Sequence, residues 1–378
     1  MIKKFKCLIF MAVMLIEMLG ANVYALEKHP DYTMRTLLME TETGAVIKES
    51  GGYDKTAQGT LNKLMTVLLA AEEIESDNLK MDRELTVSSS VEGIKGAVIW
   101  LMPGENITVE ELLKAIIIGN ANDASIVIAE EIGGSEEEFV DMMNARAFEL
   151  GMRNTAFRNA AGYDCDGQYS TAYDVALLCR ELLKHEFLYS IMTTWTDTVR
   201  NGQTEVVNEN KLVRSYDGIT GLKAAHSDES GYCLALSAQR NGKSYIAVVL
   251  GSCDEDERFS AAKSLMSVGF SSYKLTTPSF SGEFIRPLEV KGGVDRAVEI
   301  TTGNLSGLVV PENNGEIETV IFMPEYLYAP IKKGQKVGTV GFYNGDTLLH
   351  ETDLITENAV KKVTFIDSLD NILHNMYK

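Results

Sequence analysis

The chain has 378 residues, a formal net charge of −19 and 45% hydrophobic content. That length predicts roughly two domains of about 100–200 residues, each with ample core. The acidic balance argues against nucleic acid or an anionic surface as a partner. The five histidines include no H-E-x-x-H pair, which argues against a metalloenzyme, and no motif in the sequence implies another cofactor.

Residues 1–25 read as a secretory signal peptide. Lys3, Lys4 and Lys6 form a positive start, Cys7 to Leu19 is apolar apart from Glu17, and Val23-Tyr24-Ala25 offers a small-residue cleavage site. The apolar run is shorter than the ~20 residues a membrane span needs. The expectation is therefore cleaved export and work outside the cytoplasm. Cys165, Cys179, Cys233 and Cys253 would remain, with spacing unlike a zinc site. An oxidising compartment permits disulfides among them, although a chain this large does not need them.

The next elements follow from periodicity. Residues 35–49 predict a hairpin turning at Thr41-Glu42-Thr43-Gly44. A helix is expected from Thr60, with Leu61, Leu64, Met65, Leu68 and Leu69 at helical spacing. Residues 108–133 predict two helices around a kink at Gly119 to Asp123, the first opened by a Thr108/Glu111 capping box. Residues 135–151 and 171–190 predict further helices, and 206–251 return to strand, notably Tyr232 to Ser237 and Ser244 to Leu250. Helices interleaved with hairpin strands describe an α/β domain over 26–275 rather than a parallel βαβ series.

Near Thr276-Thr277-Pro278 the texture changes to short alternating runs and turns, which predicts a small antiparallel β-domain over 276–358. In 359–378, Phe365, Ile366, Leu369, Ile372, Leu373 and Met376 share one face of an amphipathic tail helix. Two readings stand for that tail: peripheral contact with a membrane, or docking on its own protein or a partner.

Three segments carry chemistry, in chain order: Thr60-Leu61-Asn62-Lys63, Asn120-Ala121-Asn122-Asp123 and Lys223-Ala224-Ala225-His226. They align with the S-x-x-K, S-x-N and K-T-G landmarks of penicillin-interacting serine acyltransferases. Their flanks include Leu64-Met65-Thr66, Pro103-Gly104-Glu105, Asn122-Asp123-Ala124, Tyr169-Ser170-Thr171-Ala172-Tyr173-Asp174, Asn210-Lys211-Leu212 and Gly231-Tyr232-Cys233-Leu234. On these residues the chain resembles the low-molecular-weight penicillin-binding proteins that act as serine D-alanyl-D-alanine carboxypeptidases. The resemblance covers nearly everything after the signal peptide. It implies a penicillin-binding/β-lactamase-like sandwich of helices on a mainly antiparallel sheet, followed by a small all-β domain. It also implies a place at the cell wall or the outer face of the cytoplasmic membrane. The implied ligands are a peptidoglycan stem peptide ending in D-Ala-D-Ala and β-lactams.

The resemblance assigns roles. Thr60 stands for the attacking serine, and Lys63, one turn on and on the same helix face, for its base. Asn120 stands where a serine relays protons, which an amide cannot do. Asn122 would hold the substrate amide, Lys223 the substrate carboxylate, and the backbone N–H of His226 the oxyanion. Ala224 lacks the family's hydroxyl, and Ala225 puts a methyl where a bound backbone approaches closely. Asn159-Ala160-Ala161-Gly162 departs from the usual Asn-Pro-His-Gly, and Gln168 replaces a common histidine.

If each of four changes removed ~1.4 kcal/mol of transition-state stabilisation, turnover would fall about ten-thousandfold. Two functions stay open at this point: a D,D-carboxypeptidase, and an impaired or inactive homologue that binds stem peptides or a cell-wall partner. A secreted β-lactamase fits poorly, having no use for the second domain. Without the flanks, Thr60 would read as a helix N-cap and Lys63 as a solvated lysine. Likewise Asn120 and Asn122 would read as a kink pair bonding their own backbone.

Overall fold

The computed structural model describes residues 32–276, 286–302, 308–312 and 317–365. The expected signal peptide and the tail from residue 366 onward lie outside them. Among the described residues no helix is long and apolar enough to cross a membrane.

A central sheet organises the first part of the chain. Its strands are β1 (Arg35–Glu40), β2 (Val46–Ser50), β3 (Ile219–Gly221), β4 (Ala224–Ser227), β5 (Gly231–Arg240) and β6 (Lys243–Ser252). They lie in the order β2-β1-β6-β5-β3, with β4 also paired to β5, and every pairing is antiparallel. Side chains alternate across a strand, so Leu37 and Met39 enter one core and Leu38 the other. Both faces are covered, which explains the unbroken apolar run from Tyr245 to Leu250.

The larger face carries α1 (Lys63–Glu75), α2 (Val109–Ile117), α3 (Asn122–Gly133), α4 (Glu136–Glu149) and α5 (Ala172–Leu182). The smaller face is covered by α6 (Glu255–Ser272) through Phe259, Ala262, Leu265 and Met266. The Thr108/Glu111 capping box forms at the head of α2. Gly134, at φ +80°, ends α3 in the left-handed conformation that a residue with a Cβ resists. The helix expected over 171–190 is α5 to Leu182, then a turn of 3-10 helix at Glu186–Leu188 and a short helix at Tyr189–Met192.

The sequence reading missed α6 and the strand pairs Glu84–Thr86/Asn106–Thr108 and Thr196–Val199/Thr204–Val207. The C-terminal part is all-β around Leu288, Val290, Leu308, Val340, Phe342 and Leu354. It corrects the expectation of a wholly antiparallel domain, because Leu288–Lys291 pairs in parallel with Tyr326–Tyr328.

Candidate active site

Thr60 sits in a 3-10 turn, Gly59–Asn62, that runs into α1. Two glycines let neighbours close on this turn. Gly59 has φ +53°, and a Cβ there would lie 2.5 Å from Ser230 Oγ. Gly162 has φ +81°, and a Cβ would lie 2.8 Å from the Gly59 carbonyl and 2.9 Å from Thr60 Cα. The segment 159–163 therefore crosses directly over the start of α1. The residue capping α1 is Asn62, and Lys63 is 0% exposed, so the N-cap and solvated-lysine readings both fail.

The Lys63 Nζ donates to Asn122 Oδ1 at 2.7 Å and to the Ala161 carbonyl at 2.5 Å. Burial, and then the positive charge of Lys223, hold this amine well below its ordinary value, against the opposing pull of Glu209 and Asp123. A neutral amine in this position has a lone pair to offer a hydroxyl proton. Asn122 Nδ2 donates to the Lys95 carbonyl at 2.7 Å, which leaves its oxygen for Lys63. Asn122 is thus committed to the lysine and to the loop, not to its own helix. Burial pushes the Tyr163 phenol up to about 12, so it stays a neutral donor.

Asn120 takes φ +56°, in the left-handed region that asparagine tolerates better than most residues. Its Nδ2 donates to Thr60 Oγ1 and to Glu209 Oε1, both at 3.1 Å. A carboxylate only accepts, so Glu209 settles which way the amide points. Asn120 Oδ1 is then buried without a partner. Glu209 was not among the residues expected from sequence. The neighbouring Asn210-Lys211-Leu212 marked the segment, but an acidic side chain beside it carries no pattern of its own.

The third segment lies on β4, whose only partner among the described residues is β5. Lys223 and Ala235 exchange backbone bonds in both directions, at 3.0 and 2.9 Å. Bonded and unbonded positions alternate along an antiparallel ladder. The N–H groups of Ala224 and His226 therefore face the free edge. The Lys223 side chain is 4% exposed and donates to the carbonyls of Ile116 and Ile117 at the end of α2. Burial lowers its amine to about 8, although Glu209 opposes the change.

Two expectations are corrected here. The Ala225 methyl points into the large core at 0% exposure, so it crowds no ligand. The missing hydroxyl of Ala224 leaves a 1%-exposed contact in the α6-side core, not a gap in the cleft wall.

Thr60, Asn120, Asn122 and His226 line one cleft of about 430 Å³, together with Lys95, Tyr163, Glu209 and the exposed Asp164 and Asp228. Lys63 and Lys223 lie beneath it and do not line it. The cleft can thus offer a hydroxyl and an edge N–H to one ligand, above a buried amine hydrogen-bonded to Asn122. Among the described residues no group of His, Cys, Asp and Glu could hold a metal ion.

Comparisons with known proteins bear on the family and the fold. The family model for D-alanyl-D-alanine carboxypeptidase matches residues 27–254, and that for the penicillin-binding protein 5 C-terminal domain matches 273–362. The chain is 34% identical to D-alanyl-D-alanine carboxypeptidase DacF of Bacillus subtilis, over 90% of this chain and 89% of that protein. It is 30% identical to DacC of Escherichia coli, over 85% and 83%. Penicillin-binding protein 5 of Haemophilus influenzae superposes with a TM-score of 0.79 at 24% identity, over 88% of this chain and 99% of that one, a likeness of fold. Penicillin-binding protein D2 of Listeria monocytogenes, solved in a cefotaxime-bound form, gives 0.57 at 30% identity over 62% and 96%. The chain belongs to the D-alanyl-D-alanine carboxypeptidase family of penicillin-binding proteins.

Proposed function

We propose that this chain receives peptidoglycan stem peptides in the cleft at Thr60 and carries out the family's acyl transfer there, at a rate reduced by orders of magnitude. Thr60 is the nucleophile, Lys63 its base, Asn122 the amide that holds the substrate, and the edge N–H of His226 the oxyanion donor. Lys223 acts through its charge from beneath the cleft. The observation that carries the reading is the state of Lys63: fully buried, hydrogen-bonded to Asn122, and held well below the ordinary amine value.

A second reading, a peptide-binding homologue without turnover, is favoured by one contact. Asn120 donates to the very hydroxyl that would attack, and an amide cannot carry a proton to a leaving group. The export signal at 1–25 and membrane contact through 359–378 belong to the same proposal.

Incubation with a labelled penicillin, followed by peptide mass spectrometry, separates the two. A slow adduct on Thr60 is expected, and Asn120→Ser should form it faster. Absence of any Thr60 adduct in the native chain, while Asn120→Ser acylates, would establish the second reading. Silence in both variants would remove Thr60 as nucleophile altogether.

A further inference from the structure

Arg258 lies near the start of α6 and is 2% exposed. Its Nη1 donates to the Ala225 carbonyl on β4 at 2.7 Å and to the Cys233 carbonyl on β5 at 3.2 Å. Among the described residues its one carboxylate partner is Glu255, 3.3 Å from Nη2 and 40% exposed. Arg258 Nε is buried without a partner. Burial works against this charge, but a guanidinium keeps its proton.

Stability alone does not require such a residue. A buried ion with one part-exposed partner is no more stabilising than an apolar side chain of similar volume. Nor does the strand need it. Ala225 and Cys233 face each other in register, two residues from the Lys223/Ala235 pair that exchanges both backbone bonds. The ladder alternates, so the Ala225 carbonyl already accepts from the Cys233 N–H.

What Arg258 does reach, at one remove, is the cleft. The Ala225 carbonyl and the His226 N–H belong to one peptide unit and point in opposite directions. On one side the carbonyl takes the guanidinium; on the other the N–H faces the free edge, where His226 lines the cleft. A cation on a peptide oxygen polarises the unit and makes its N–H a stronger donor.

We infer that Arg258 is a positioning residue for acyl transfer, aiming and strengthening the His226 N–H through the 225–226 peptide. The inference rests on the acyl-transfer reading and adds to it a residue too deeply buried to touch the ligand. In that reaction Thr60 Oγ1 bonds to the ligand's carbonyl carbon and gives its proton to Lys63. The carbonyl π pair becomes the oxyanion that the His226 N–H receives. One peptide unit and two hydrogen bonds put the guanidinium roughly 8 Å from that oxygen. At an effective dielectric of about 20, a unit charge at this distance changes the rate about thirtyfold. Glu255 offsets part of the charge, so about tenfold should remain. The effect falls on rate more than on binding, because the oxyanion forms only as Thr60 attacks.

The test follows acylation of Thr60 by a labelled penicillin over a concentration series, which separates reversible dissociation constant from limiting rate. Arg258→Gln keeps a donor near the carbonyl and removes the charge. It should lower the limiting rate about tenfold and move the dissociation constant by about threefold or less. Arg258→Lys returns a cation and should bring the rate back to within about threefold of native. Glu255→Gln leaves the buried side chain alone and lifts the offset, so it should raise the rate about twofold.

A limiting rate in Arg258→Gln equal to native overturns the inference, and so does a lysine variant no faster than the glutamine one. A loss shared equally between binding and rate also overturns it, as the mark of a merely structural tie. Should both Arg258 variants fail to fold, Glu255→Gln decides, and a rate no higher than native refutes the inference. Each of these results leaves the acyl-transfer reading standing, since Thr60 is still acylated. A native chain that forms no Thr60 adduct removes that reading and the inference with it.

Discussion

Lys223→Met removes the buried amine under the cleft while keeping an unbranched chain of similar reach. Burial lowers that amine from 10.5 to about 8. At about 1.4 kcal/mol per pH unit, the gap corresponds to ~3 kcal/mol of folding free energy. The sign follows from proton counting. Below pH 8 the folded and unfolded chains both carry the proton, and the full penalty for burying charge applies. Between pH 8 and 10.5 the folded chain releases its proton while the unfolded chain keeps it, so stability rises with pH.

Methionine removes the penalty but also the bonds to Ile116 and Ile117, at 3.0 and 3.5 Å. Those are worth about 1–2 kcal/mol together. The variant should therefore be more stable than the native chain by roughly 1–2 kcal/mol at pH 7, with the advantage vanishing or reversing by pH 10. Urea unfolding at pH 7, 8, 9 and 10 measures this. A second readout comes from Lys63, whose amine is lowered in part by Lys223. Its titration, followed through penicillin acylation, should move to higher pH in the variant. A variant less stable at pH 7, with the same pH slope as the native chain, would refute the assignment of a penalised, charged Lys223.

Two further substitutions test how the cleft is held. Gly162→Ala places a methyl within 2.9 Å of Thr60 Cα at φ +81°, and should lower stability by about 2 kcal/mol or more. A calorimetric melting temperature within about 1 °C of native would contradict that close approach. Asp123 is 2% exposed and accepts from the N–H groups of Ile99 and Leu101, clamping the loop that runs past Lys95. In Asp123→Asn one acceptor becomes a donor, so a loss of ~2 kcal/mol and faster amide exchange at Ile99 and Leu101 are expected. Unchanged exchange at those two amides would show that the clamp is dispensable.

Much of the fold was legible because local pattern and burial agree. The Thr108/Glu111 box and the apolar spacing in α1 to α4 are short-range signals, and each forms where the pattern puts it, with ends shifted by a few residues, whereas the helix expected over 171–190 breaks after Leu182. Helix α6 escaped because its buried stripe of Phe259, Ala262, Leu265, Met266 and Gly269 is diluted by serines and includes small residues. Gly269 is needed there for fit, since a Cβ would meet the Tyr245 ring at 3.0 Å. The parallel pairing of Leu288–Lys291 with Tyr326–Tyr328 escaped because partners so far apart leave no mark in either segment.

Residue order alone was enough for the helix and strand pattern, the family resemblance and the residues that compete for roles in the cleft, because periodicity and motif order are written in neighbouring side chains. Tertiary structure alone decided what those residues do to one another. It put Lys63 and Lys223 below the floor, turned the Ala225 methyl into the core, and brought Glu209 across 89 residues of chain to Asn120. Burial and electrostatic fields act through space, and they set protonation only once distant segments have been packed together.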